Sequence, residues 1–371
     1  MRTLRRLLYR EILLTVAFIT LAFLALFIFF DFIDQLAAIG NPARPGYYAP
    51  QALFYVLLLA PGHMYELLPI TVLIGVIYVM TRLAQSSEFT ILRTSGFSPW
   101  RALGMLLTAG VLFTLVTFAI GDYISPWSNQ EAQTYKARFS KNGLGAAIGK
   151  GGAWLREREP YAQYGVHIGA LEADGAMRDI RIYEVDNDGH LLSTMTADKA
   201  LFGDDQTWQL LNVERTEFNS ADPDAQRVET SFQPTYRWPS EITREMITAA
   251  VLDPDHMNTV DLFLYMRHLQ ANAQNAERYE IQFWKKLFYP LSCMVMVIMA
   301  LPFGYLHFRN QGISLYVFGG VMAGVAFFFL NNMFSYIGEL QHWIPWVASA
   351  TPGLIFMFIS LAAFRWLVLL R

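Results

Sequence analysis

Apolar residues in this chain come in long blocks, at about 11–33, 67–80, 103–121, 291–306, 313–334 and 343–370, and these constrain the fold more than any motif does. A hydrocarbon layer roughly 30 Å thick takes about 20 helical residues to cross. Most of the blocks are long enough. The second is short alone but continues upstream through LFYVLLLAPGHMYELLP, where Pro61-Gly62 and Pro69 break the pattern, since proline removes a backbone donor. We therefore expect an interfacial turn or half-helix at 52–60, a span at 63–84, and six spans in all. Only 16% of residues are charged against 54% hydrophobic, where a soluble domain carries about a quarter charged.

The first block follows MRTLRRLLYR, a basic start that superficially suggests a signal peptide. The apolar run is too long and no small-x-small cleavage site follows, so an uncleaved anchor is expected. Arginines fix the orientation. Arg2, Arg5, Arg6, Arg10, Arg82, Arg93, Arg101, Arg309, Arg365 and Arg371 fall on one side, and the short loops 39–51 and 336–342 on the other hold only Arg44. Both termini and the loop 81–103 are expected to be cytoplasmic. The net charge of −3 argues neither for nor against nucleic acid, and none enters the expected partners.

Residues 125–278 contain no spanning block and are expected outside the cytoplasm. Their pattern shortens to alternating segments such as QYGVHIGALEA, MRDIRIYEVD and QTWQLLNVERTEF, separated by turn signals at Asp174-Gly175, Asp188-Gly189 and Asp204-Asp205. That pattern predicts an antiparallel β sandwich or roll of six strands. Helical periodicity resumes at Asp261–His268. The cluster Phe283, Trp284, Lys285, Lys286, Phe288 and Tyr289 then marks the outer boundary of span four.

Catalytic signatures are missing from the sequence. The histidines show no HExxH spacing, the single Cys293 rules out an internal disulfide, and no metal site is expected. GLGAAIGKGG has the wrong glycine spacing for a phosphate loop and reads as a Gly-rich lead-in to the first strand. Asp31, Asp34, Glu66 and Asp122 fall near the outer ends of spans, where interface placement and an ion relay are both open readings. Asn331 and Asn332 in span five face a cavity or a neighbouring helix, and Gly320 and Gly324 form a GxxxG that suits close helix packing.

The loop SSEFTILRTSGFSPW is longer than a connector needs. Ser86 or Ser87 is a fitting N-cap, Glu88 suits the positive end of the helix dipole, and Gly96 ends the helix. Ser98-Pro99 then opens span three. A short helix at about 86–95 is expected. It either rests on lipid or docks into a groove of a cytoplasmic partner.

The run MTRLAQSSEFTILRTSGFSPWRAL resembles the loop between spans two and three of the LptF/LptG family, permease subunits of the lipopolysaccharide export transporter. Phe32-x-Asp34-Gln35-Leu36, ELLP at Glu66–Pro69 and VLDPD at Val251–Asp255 match in order and spacing, nearer the LptG branch. The resemblance covers nearly the whole chain. It implies a membrane protein: a six-helix α transmembrane bundle with an all-β periplasmic jellyroll inserted between spans three and four. The implied divisions are 1–128 for spans one to three, 129–256 for the jellyroll, and 257–371 for a connecting helix and spans four to six.

By the same resemblance the chain has no ATPase site or cofactor of its own. ATP is bound by a cytoplasmic ATPase dimer of the LptB kind, contacted by Glu88, Phe89 and Leu92. Further implied partners are a second, LptF-like permease, an LptC-like single-span protein, an LptA-like bridge, and lipopolysaccharide as substrate. Implied placement is the bacterial inner membrane, with span one on one side of a lateral gate. Relatives carry lysines around the DQL motif where this chain has Asp31, Ala37 and Ala38, so Lys136 and Arg138 remain as headgroup candidates beside Asp31 and Asp34. A cavity lined by spans one and five would use Phe27, Phe30, Phe327, Phe328 and Leu330. The alternative is a mechanotransmission permease that relays ATPase motion without moving lipid.

Overall fold

The computed structural model describes residues 2–41, 45–86, 99–139, 153–158, 161–171, 176–186, 188–202, 207–219, 227–240, 242–243, 246–247, 254–272, 274–305 and 313–366. Six helical stretches are long and apolar enough to cross a membrane. They are α1 (Arg2–Leu36), α2 (Ala49–Gln85), α3 (Pro99–Ala119) continued through a π turn (Ile120–Ile124) into α4 (Ser125–Ala137), α6 (Glu277–Phe288) continued into α7 (Ser292–Ala300), α8 (Ile313–Leu340) and α9 (Pro345–Phe364). The short α5 (Thr259–Ala271) starts at Asn258, whose side chain accepts the Asp261 N–H at 2.7 Å. The chain separates into two compact units. One holds residues 1–33, 59–128 and 277–371, and the other holds 34–58 and 129–276.

One expectation is corrected. The helix α2 runs unbroken through Pro61 and Pro69 rather than stopping at the first of them. An apolar environment supplies no replacement partners for a broken helix, so keeping the remaining backbone bonds outweighs the donor each proline withholds.

Within the helical unit the core is built around α2, α7 and the faces of α3, α8 and α9 that meet them. Contacts are close because small residues let helices approach. A Cβ on Gly75 would lie 2.6 Å from Val16 of α1, one on Gly110 would lie 3.3 Å from the Met294 backbone of α7, and those on Gly320 and Gly324 would strike Ile77 and Ile70 of α2. In lipid such packing, rather than burial from water, holds helices together. The GxxxG pair is therefore spent inside the chain.

The second unit contains one antiparallel sheet whose six strands lie in sequence order, β1 (Ala153–Arg158), β2 (Gln163–Leu171), β3 (Met177–Val185), β4 (Leu191–Phe202), β5 (Thr207–Asn219) and β6 (Arg227–Pro239). This up-and-down meander realises the expected β insert between spans three and four. Alternation buries one face through Leu155, Val166, Ile180, Met195 and Val213. Trp208 and Trp238 close that face edge to face, 5.2 Å apart, and Trp208 donates to the Ile242 carbonyl at 3.1 Å.

A crease crosses the sheet. The ladder passes from Ile168↔Ile180 to Ala170↔Arg178 and likewise skips one residue in each later pairing, so Gly169, Asp179, Asp198, Asn212 and Pro234 form an unpaired row in constant register. Asp179 and Asn212 take left-handed φ angles of 51° and 54°, which turn their peptides out of the ladder. Gly169 is needed opposite, because a Cβ there would sit 2.8 Å from the Asp179 Cβ. Pro234 has no N–H to lose and sits on an edge strand. Interruptions of this kind let a sheet curve.

In the same unit Tyr47 is fully buried and donates to Gln35 Oε1 at 3.3 Å, closing the turn after α1. Tyr47, Phe139, Tyr135 and Phe54 form a chain of edge-on rings that joins the start of α2 to α4.

Candidate functional site

Two helices of the bundle are the least covered. Only 17% of the apolar window of α1 and 22% of that of α8 are buried, against 78% for α2 and 72% for span four. Both pack on α2 through neighbouring faces, α1 at Gly75 and Thr71 and α8 at Ile70 and Ile77.

Helix α8 has two faces. Gly320, Gly324, Phe327, Asn331 and Ser335 recur at helical spacing and are buried. Leu315, Phe318, Met322, Val325, Phe329 and Tyr336 recur at the same spacing and are exposed. This corrects one expected liner. Phe327 is 1% exposed and packs on Tyr289 and Phe356, because it shares a face with the two glycines that bring α8 onto α2. Phe328 is 36% exposed and Leu330 is partly buried against the core, while Phe329, outside the expected set, is the open aromatic at this level. The glycine spacing already carried the signal, since stepping by helical turns from Gly320 and Gly324 reaches Phe327.

Helix α1 changes character along its length. Leu8, Ile12, Val16 and Thr20 form a buried stripe. Tyr9 Oη donates to the Met105 carbonyl at 3.1 Å and also meets Thr108, Glu11 accepts from Arg82 at 3.1 Å, and Thr20 donates to Thr71 at 2.8 Å. From residue 21 to residue 36 no residue is buried. Phe27 and Phe30 lie in this open half, Phe30 edge-on to Phe29. Asp31 is held by His63 of α2, Nε2 to Oδ2 at 2.6 Å, and the Phe27 ring lies 5.2 Å from the imidazole. Asp34 is exposed. His63 was passed over in the sequence because an isolated histidine carries no spacing signal.

The remaining candidates separate. The ammonium of Lys136 lies 4.4 Å from the centroid of Tyr55, a cation–π contact, and Arg138 is exposed just past α4. Glu88, Phe89 and Leu92, expected to contact an ATPase, lie outside the described residues. So do Arg93, Gly96, the Gly-rich stretch around Lys150, and Val251–Asp253 of the VLDPD motif.

The structure adds a buried polar junction that the sequence did not show. Lys286 and Tyr289, expected at the membrane boundary, are 9% and 5% exposed. Lys286 donates to the Gly121 carbonyl at 3.3 Å, and Tyr289 donates to the Glu66 carbonyl at 2.6 Å. The π turn at Ile120–Ile124 shifts the carbonyl register, and Lys286 satisfies one oxygen that results. Asn332, beyond it, accepts from Lys285 at 3.3 Å.

Among the described residues one group of side chains has metal-ligand proximity: Asp186, Asp188 and His190, with donor atoms within 4.8 Å in the β3–β4 hairpin. Turn geometry accounts for it. Asp186 Oδ1 accepts the N–H groups of Asp188 and His190 at 2.9 and 2.8 Å. The His190 backbone N–H, followed by its side chain and the Asp188 N–H, holds the Asp186 carboxyl below its ordinary range.

The sequence pattern described as "Lipopolysaccharide export system permease LptF/LptG" matches residues 6–366. "Lipopolysaccharide export system permease protein LptG" of Escherichia coli (strain K12) is 27% identical over 331 residues, 89% of each chain. The protein of the same name from Haemophilus influenzae is 24% identical over 328 residues, 88% of each chain. Six apolar helices, a β insert after the third and agreement from the first helix to the last leave one conclusion: the chain belongs to the lipopolysaccharide export system permease LptF/LptG family.

Proposed function

We propose that this chain is one of two permeases that lift lipopolysaccharide out of the bacterial inner membrane and pass it to a periplasmic bridge, driven by a separate cytoplasmic ATPase. The observation that carries the reading is the pair of open apolar faces, on the C-terminal half of α1 and on α8, that flank α2.

Exposing one saturated chain of about 14 carbons to water costs roughly 10 kcal/mol at ~0.8 kcal/mol per CH₂. A lipid with several such chains needs an apolar lodging at every stage. Phe27 and Phe30 on α1 and Phe328 and Phe329 on α8 supply it here, facing the second permease across the route. The β unit offers a one-sided apolar sheet that the crease allows to curve around acyl chains. Asp31 in the helical unit, and Asp34, Lys136 and Arg138 in the other unit, are the headgroup candidates. Both termini lie in the cytoplasm, and the segment 86–95 presents Glu88, Phe89 and Leu92 to the ATPase, whose closure squeezes the two half-bundles.

Photo-crosslinkers at Phe27 and Phe328 in cells should capture lipopolysaccharide; labelling of bulk phospholipid alone removes the substrate from this route. A detergent pull-down of Glu88→Arg should lose most of the ATPase that the unaltered chain retains. Equal retention would count against the docking helix.

A further inference from the structure

Among the described residues one ion pair ties the open half of α1 to α2, and a hydrogen bond from Tyr47 to Gln35 holds the very end of α1. Asp31 and Phe27 lie one helical turn apart on α1, and the His63 imidazole fits against both, hydrogen-bonded to the carboxylate at 2.6 Å and 5.2 Å from the phenyl centroid. Both polar side chains are about three-quarters covered, at 25% and 23% exposure. Ionisable side chains at the edge of a span are costly to hold there unless paired. Around this pair every residue of α1 from 21 to 36 is partly or fully open, and the tight contacts at Val16 and Thr20 lie more than two helical turns away.

We propose that His63 is a positioning residue for lipid admission: through Asp31 it seats the C-terminal half of α1 on α2, and the pair must part for lipid to pass beside α1. This rests on the route argued above. The Asp31–His63 contact is one hydrogen-bonded pair with about a quarter of each side chain uncovered, few enough interactions to be broken and remade in each cycle. The N-terminal half, held at Tyr9, Glu11, Val16 and Thr20, stays in place and serves as the pivot. A helix anchored at one end and latched at the other can swing without leaving the bundle.

The test uses the full transporter in cells. In Asp31→Cys/His63→Cys a short bis-methanethiosulfonate linker joins the positions, since two truncated side chains leave a gap too wide for a direct disulfide. Linking should cut export about tenfold or more, as expected when an obligatory opening step is blocked, and reductant should restore it. Treatment should leave each single-cysteine variant at the export it shows untreated. Unchanged export by the linked protein overturns the proposal. The exchanged pair Asp31→His/His63→Asp should export better than either of its single changes; no better than the worse of them also overturns it. Photo-capture of lipopolysaccharide at Phe328 in the otherwise unaltered chain separates the two failures. Capture with no effect of linking sinks only the latch, whereas lost capture sinks the route itself.

Discussion

Over its N-terminal half α1 offers Leu8, Ile12, Val16 and Thr20 to its neighbours at a four-residue spacing, and all four are buried. Over its C-terminal half it offers Phe27, Phe29, Phe30 and Ile33, and all four are exposed. Hydropathy does not separate the halves, because both are apolar. What separates them is the size of the residue opposite. Gly75 and Thr71 on α2 let the N-terminal half approach until backbones nearly touch, whereas the C-terminal half meets His63. In lipid, apolarity decides that a helix spans, and small residues and hydrogen bonds decide which part of it is fixed.

The largest test of that contrast is Gly75→Val. Its Cβ would start 2.6 Å from the Val16 Cγ2 and 3.3 Å from the Val16 backbone, which cannot rotate away. We expect a loss of about 1–3 kcal/mol or more, read as a lower Tm of the detergent-solubilised protein. A tolerated valine would show that α1 is not anchored at this crossing.

Next in size is Thr71→Val. Thr71 accepts from Thr20 and itself donates to the Leu68 carbonyl at 3.1 Å, and both threonines are buried. Removing its oxygen orphans the Thr20 donor at a cost of about 1–3 kcal/mol, whereas Thr20→Val leaves Thr71 its Leu68 bond and should cost about 1 kcal/mol. Equal losses for the two would mean that the hydroxyl chain is not directional.

These contrasts also mark what the sequence could and could not convey. Six spans were legible because a bilayer demands some twenty apolar residues and little else supplies them. The six strands were legible from alternation. The crease was not, because Asp179, Asp198 and Asn212 read as ordinary outward polar residues until their backbone angles are known. The continuity of α2 was misjudged because a proline's local cost is visible in a sequence and the surroundings that outweigh it are not. Phe327 was misplaced by counting aromatics instead of following the face set by Gly320 and Gly324. His63 and Lys286 were missed as partners because each gains its meaning from a helix distant in sequence. The short helix expected at about 86–95, the clearest functional signal in the sequence, falls from residue 87 on outside the described residues.

A smaller effect is expected at the near end of the same helix. Arg82 donates to Glu11 with half of its side chain open, so Arg82→Ala should cost less than about 1 kcal/mol despite the 3.1 Å contact. Among the described residues Glu11 Oε2 is buried without a hydrogen-bond partner. A loss well above that range, measured as Tm, would therefore mean that the bilayer shields the pair and that the anchor at this end is electrostatic as well as steric.

The smallest effect on stability is expected from Phe30→Ala. Its ring is 56% exposed and touches Phe29 edge-on, so truncation opens no cavity and removes little packing. The isolated chain should keep its Tm within about 0.5 kcal/mol of unfolding free energy, the range usual for surface changes. What Phe30→Ala does beyond that discriminates two uses of the open half. If the ring lines the lipid route, export falls while the stability of the two-permease complex stays the same. If the ring is instead covered by the second permease, the complex loses stability as the isolated chain does not, and the exposed face of α1 is an interface. A drop in the Tm of the isolated chain as large as that of Gly75→Val would erase the difference between the halves, because a pivot and a swinging arm cannot be equally embedded.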